Sequence, residues 1–253
     1  MAREHLLLDQ EEESIHSNQI RLETKKEQRK NWWHYHKMIV LAVSVAVLVV
    51  GSIIYSVVSQ VEPDYQIGLI TSRRLPESMV EDLESYLMKY CDDRNTDGER
   101  VLKVRPYILS GDPQSESDAA VLEAAVVQFT GDSSELESVI FLHDPDGLAY
   151  FPEDTLAGFF QMRDGSQQPE DATSFEEVAW DWTELQGLAN YRSPGIDDSF
   201  GGSVAGKDVD ALWGRYRVSL RSLPESMAKK EEKSRYYEDS VRFFQRMMED
   251  QGS

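Results

Sequence analysis

The sequence predicts a mixed α/β domain with a mostly parallel β-α-β-α-β core, carried beyond one N-terminal transmembrane helix. Three observations predict it. Met38 to Val58 (MIVLAVSVAVLVVGSIIYSVV) is a run of 21 residues without a charge. From Tyr65 to Leu142, short β-branched and aromatic runs alternate with segments whose apolar residues recur every three or four positions. The chain then closes on Lys229 to Glu249, a long stretch of helical spacing.

As a helix, the uncharged run covers about 31 Å, the thickness of a bilayer's hydrocarbon core. Its flanks are unequal. Six Lys/Arg lie between Arg21 and Lys37, whereas Ser59 to Ser72 contains none. The positive-inside rule therefore puts the N-terminus in the cytoplasm and the C-terminal domain outside the cell membrane. Trp32, Trp33 and Tyr35 stand where an interfacial aromatic belt belongs. A cleaved signal peptide would need a 37-residue charged region and about twice the usual apolar length, so a signal anchor is the better reading. The expected organisation is a largely flexible cytoplasmic tail (1–37), a single-pass helix (38–58), a linker (59–64) and an acidic extracytoplasmic α/β domain (65–253).

The formal net charge is −20, and residues 1–37 carry seven charges of each sign, so the exterior part holds the whole imbalance, 19 basic against 39 acidic. Such a surface excludes nucleic acid as a partner, because phosphate contacts need Lys and Arg. The lipid bilayer and a protein partner at the cell surface or in the membrane are the partners the sequence leaves. Cys91 is the only cysteine, so the domain relies on an ordinary core rather than an internal disulfide. With no glycosylation sequon either, the chain points to a bacterial cell surface, Gram-positive in type.

Taken in order, Tyr65 to Thr71 reads as a buried strand. Leu75-Pro76-Glu77-Ser78 starts a helix, with proline in the first turn and acids at the positive end of the dipole. Leu75, Met79, Leu83, Leu87 and Tyr90 give that helix one apolar face. Val101 to Leu109 is a strand that Pro106 confines to an edge or a bulge. Val121, Leu122, Ala125, Val126 and Phe129 mark a second helix, and Val139 to Leu142 a third strand, fully apolar. From Pro145 to Gly206 the pattern weakens. Thr155 is expected to cap a short helix through Leu156, Phe159 and Phe160, with loops over 167–177 and 193–206. Tyr216 to Leu220 is a strand, and the final helix is expected to turn Tyr237, Val241, Phe244 and Met248 inward. Leu75-Pro-Glu-Ser-Met79 recurs letter for letter as Leu223-Pro-Glu-Ser-Met227. Two similar strand-to-helix connectors and an old duplication both account for it.

Three segments carry candidate chemistry. Asp93, Asn95 and Asp97 place oxygen side chains on alternate residues before Gly98, as calcium loops do, although the twelfth position, where such a loop wants a bidentate acid, is Val104. The alternative is a plain turn rich in Asp, Asn and Gly. Asp144 and Asp146 follow the third strand, where open α/β sheets collect ligands, yet Asp-Pro-Asp-Gly is also strong turn chemistry. Trp180 and Trp182, with Asp181 between them and Tyr191 nearby, are candidates for an aromatic ligand-binding surface or for core positions. No metalloprotease, nucleophile-elbow or phosphate-loop motif occurs, and His143 is the only histidine beyond the apolar run.

The run from Tyr65-Gln-Ile-Gly-Leu-Ile through Leu75-Pro-Glu, then Asp93-x-Asn-x-Asp-Gly and Val139-Ile-Phe-Leu-x-Asp, resembles single-span membrane proteins of Gram-positive bacteria. Their exposed domain is similar to one lobe of an extracellular solute-binding protein. The resemblance covers 65–145 and, loosely, 212–248. It implies an α/β lobe at a bacterial surface and assigns no site residue. The expected function is a non-enzymatic anchored domain that binds or scaffolds, an accessory part of a membrane complex. The alternative is a lobe that senses or captures a solute.

Overall fold

The structure is a computed structural model that describes residues 24–58, 62–111, 113–151, 156–168, 176–198 and 202–252. The chain divides into two compact units, Met1–Val61 and Glu62–Ser253.

The described part of the first unit is one helix, α1 (Lys25–Val58), of 34 residues. It contains the whole uncharged run and continues 13 residues toward the N-terminus, where the sequence suggested mostly flexible chain. The extension is built of good helix formers, Lys25 to Lys30, with Glu27 in the first turn against the dipole. Trp32 stacks on His36 one turn later at 4.9 Å. Within the apolar run, Ser44 donates its hydroxyl proton to the Val40 carbonyl at 2.8 Å, so its polar group is satisfied inside the helix. The helix is long and apolar enough to cross a membrane. The rest of the expected tail, residues 1–23, lies outside the described residues, as does the first half of the linker, 59–61.

The second unit is a mixed α/β domain on a five-stranded sheet. Its elements are β1 (Tyr65–Thr71), α2 (Glu77–Leu87), β2 (Leu102–Ile108), α3 (Glu116–Ser134), β3 (Ile140–His143), α4 (Pro145–Leu148) and β4 (Ala179–Asp181). There follow α5 (Gln186–Ala189), the hairpin β5 (Ile196–Asp198) and β6 (Gly202–Val204), α6 (Gly206–Trp213), β7 (Arg217–Leu220), α7 (Glu225–Ala228) and α8 (Glu231–Glu249). The sheet order is β2-β1-β3-β7-β4. β1 is parallel to both neighbours, while β7 runs antiparallel to β3 and to β4, so four strands share a direction and β7 opposes them. The edge position expected from Pro106 holds: it lies in β2, facing Leu69 at the margin of the sheet.

The chain passes from β1 to β2 on one side and then back across β1 to β3. Right-handed crossovers therefore place α2 and α3 on opposite faces. The pleat agrees. Tyr65, Ile67 and Leu69 join the larger core with Met79, Leu83 and Phe243, whereas Ile70 and Tyr107 join a smaller aromatic core with Phe129, Phe141 and Phe160. Gly68 is needed between them, because it pairs with Phe141 and a methyl group there would strike that ring.

Three expectations need correction. The final helix forms nearly where expected, as α8 from Glu231 to Glu249, and Lys230, outside the helical region, separates it from the short α7. The buried face of α8 is set by Tyr236, Phe243, Phe244 and Met247, one residue away from the expected register apart from Phe244. In α3 only Ala125 and Phe129 are fully buried, and Val121 is 40% exposed, because β2 ends before the first turns of the helix. The weak region gains α4, a strand, β4, α5 and a hairpin. The cap expected at Thr155 lies outside the described residues, as does most of 167–177. Both Leu-Pro-Glu-Ser-Met copies place proline immediately before a helix with the same backbone, φ −57° and ψ 139° at Pro76 against φ −63° and ψ 142° at Pro224. They follow strands that run in opposite directions, β1 and β7.

Candidate functional site

In an open sheet of this order, ligands collect beyond the carboxyl ends of β1 and β3, where the chain reverses side. Asp144 and Asp146 do stand there. Asp144 is buried, and its carboxylate accepts from the Ser72 amide (2.9 Å), the Ser72 hydroxyl (3.1 Å), the Thr71 hydroxyl (3.1 Å) and the Gly147 amide at the start of α4. Thr71 Oγ1 also lies 2.9 Å from the Tyr216 hydroxyl, whose pKa burial pushes up to about 12. The carboxylate thus ties the loop after β1 to the loop after β3. The space beside it, bounded by Arg73, Asp146, Leu212 and Arg215, is about 10 Å³, room for one water at most. Asp146 is exposed at its rim.

A wider groove of about 260 Å³ flanks this point, between the loop after β1 and the start of α3. Arg73, Arg74, Ser110, Ser117 and Asp118 line it. Both arginines are exposed to water, and Asp118 is held by Ser115, which donates to its carboxylate at 2.8 Å and accepts from its amide at 3.1 Å. The groove is therefore an open surface with exposed arginines, whose lining acid Asp118 is already engaged.

Trp180 and Trp182 belong to the core. Trp180 packs on Phe244 at 5.0 Å, and Trp182 stacks on Trp213 at 5.5 Å and meets Tyr191 edge-on. Residues two apart share one face of a strand, and although β4 ends at Asp181 and a 3₁₀ turn follows, both tryptophans turn inward. They offer a ligand no open face.

The calcium candidates fold back on their own loop. Asp93 accepts from the Gly98 amide (3.0 Å), Asn95 Oδ1 from the Asp97 amide (3.0 Å), and Asp97 from the Glu99 amide (2.8 Å) and the Asn95 side chain (2.9 Å). These are the Asx bonds of a turn. Asp93 keeps one buried oxygen without a partner. No group of three or more His, Cys, Asp or Glu placed to hold a metal occurs among the described residues. What organises the loop is Asp64, fully buried, whose carboxylate accepts from the amides of Arg94 (2.7 Å), Asn95 (3.1 Å) and Val101 (2.8 Å). Sequence reasoning missed Asp64, Thr71 and Tyr216. An acid directly before a strand was the available signal for Asp64, but its partners lie 30–37 residues away.

Two groups that often carry catalysis are sequestered. His143 is buried, lies 2.9 Å from the Ser219 hydroxyl, and has its pKa driven down to about 4, first by burial and then by Arg217. Burial pushes the Cys91 thiol up to about 12. No protein-family model matches this chain, and no curated protein and no solved structure matches it either.

Proposed function

We propose that the chain is a signal-anchored, single-pass membrane protein of a bacterial cell surface, with its N-terminus in the cytoplasm, whose exterior domain binds or scaffolds a protein partner without catalysis. One observation carries the reading: the polar groups best placed for chemistry are already committed to the fold. Asp144 caps α4 and clamps two loops, His143 is neutral and inside the sheet, and Cys91 is protonated and buried. A nucleophile or general base has to reach a substrate, and none of these does. The one-sided basic flank of α1 supports the orientation. The small space beside Asp144 disfavours solute capture at the switch point, the alternative function.

The test is protease added to intact cells expressing the chain with a tag at Met1. The exterior domain is removed and a tagged fragment of roughly 60 residues survives. The purified full chain is inactive on peptide, ester, phosphate and glycoside panels. A protected C-terminal domain overturns the orientation, and turnover that vanishes on changing one Asp or Glu overturns the non-catalytic reading.

A further inference from the structure

At the opposite edge of the sheet, beyond the amino ends of β1 and β3, Asp64 is committed to its loop, but two polar groups that follow β7 are not. Arg221 follows β7, and its amide donates to the Val139 carbonyl at 2.8 Å. Its side chain is 93% buried by residue accessibility (7% exposed), and its guanidinium lies over the Phe159 ring, 4.8 Å from the centroid. None of the ion pairs formed among the described residues includes it. Nη1 is buried with no acceptor, and the neighbouring Ser222 hydroxyl is buried and equally unmet. Arg246 also has buried unmet N–H groups, but it holds Asp92 at 2.6 Å; Arg221 holds no acid among the described residues. Burial lowers the Arg221 pKa to about 10, a sign of how poorly its charge is solvated. A buried charge left unpaired is among the costliest arrangements in a protein. In a chain of net charge −20, acids to pair it are abundant.

Arg221 and Ser222 line a cleft of about 660 Å³ whose other walls include Phe159, Leu223, Pro224 and Ala228. We propose that this cleft binds a carboxylate attached to an apolar body, with the carboxylate paired to the Arg221 guanidinium beside Ser222. The guanidinium supplies one positive charge and planar N–H donors, the match for a carboxylate. A phosphate dianion fits less well, because among the described residues no second cation lines the cleft and Glu225 does. The apolar walls then take the hydrocarbon or aromatic part of the ligand. The carboxylate comes either from a small free acid or from a peptide C-terminus, and the two share this chemistry. The inference does not depend on which surface of the domain meets a protein partner.

The experiment is calorimetric titration of the full chain in nanodiscs, at fixed ionic strength, with phenylacetate, phenylacetamide, a tripeptide ending in Phe with a free carboxylate, its C-terminal amide, and inorganic phosphate. Both carboxylates bind, both amides and phosphate bind at least about tenfold more weakly, and Arg221→Gln removes the difference by a similar factor. Tighter binding of the peptide acid than of phenylacetate assigns the site to a protein terminus; the reverse assigns it to a small solute. Equal behaviour of acid and amide on the unmodified chain overturns the proposal, and so does acid binding that Arg221→Gln leaves unchanged. If Arg221→Gln does not fold, the acid-against-amide comparison on the unmodified chain still decides.

Discussion

The two edges of the central sheet hold similar kinds of residue and use them differently. At the carboxyl edge Asp144 accepts from four donors in a space that admits one water. At the amino edge Arg221 and Ser222 keep buried donors unmet beside a cleft of about 660 Å³. The usual rule puts ligands at the first edge. Here the hydrogen-bond ledger points to the second. A polar residue's position in the topology is a weaker guide to function than whether its bonding capacity is already used.

Asp64 sharpens the contrast, because it lies at the amino edge but is spent like Asp144. Asp64→Ala leaves three loop amides without their acceptor and is expected to cost about 3 kcal/mol, read as a lowered denaturation midpoint. A loss under about 1 kcal/mol would mean that the loop does not depend on that carboxylate. His143 probes the carboxyl edge by pH. Its folded pKa, about 4, lies below the unfolded value of 6.5, so the unfolded chain takes up a proton first as pH falls. Stability is full above about pH 6.5 and declines toward pH 4, by at most about 3 kcal/mol from this group. The slope between those pH values should flatten in His143→Gln; an unchanged slope assigns the acid sensitivity elsewhere.

Smaller effects test the packing between the edges. Gly68→Ala drives a methyl into the Phe141 ring and is expected to cost about 1–3 kcal/mol, whereas Gly51→Ala meets nothing and changes the melting temperature little. Asp93→Ala with Asp97→Ala removes exposed turn bonds worth about 1 kcal/mol together. Any stabilisation by 1 mM calcium is expected to survive this double substitution as screening of the acidic surface. Its loss would identify the loop as a calcium site.

Much of the fold was legible because it follows period. The uncharged run, the strand at Tyr65 and the apolar run at Val139 follow from local chemistry alone, and Pro106 marked its strand as an edge. The register of α8 was not, since Tyr236 and Tyr237, or Phe243 and Phe244, satisfy adjacent helical stripes equally well until the sheet chooses one. β4 was obscured because a three-residue strand carries too little pattern. The sites were least legible. Asp144, Trp180 and Asp93 have types that bind ligands, and what denies the first two that role, Ser72 and Phe244, lies 72 and 64 residues away. Arg221 was passed over for the converse reason. One arginine after a strand looks ordinary until it is known that no acid among the described residues meets it.

The most direct measurement compares thermal unfolding of Asp144→Ala and Arg221→Met in the full chain at neutral pH. Spent and unspent groups predict opposite signs. Removing Asp144 strands four donors and lowers the melting temperature, while replacing an unpaired buried cation by an apolar side chain raises it by about 2–6 °C. A fall of similar size in both variants would mean that Arg221 is as fully used by the fold as Asp144, and would contradict the distinction between the two edges.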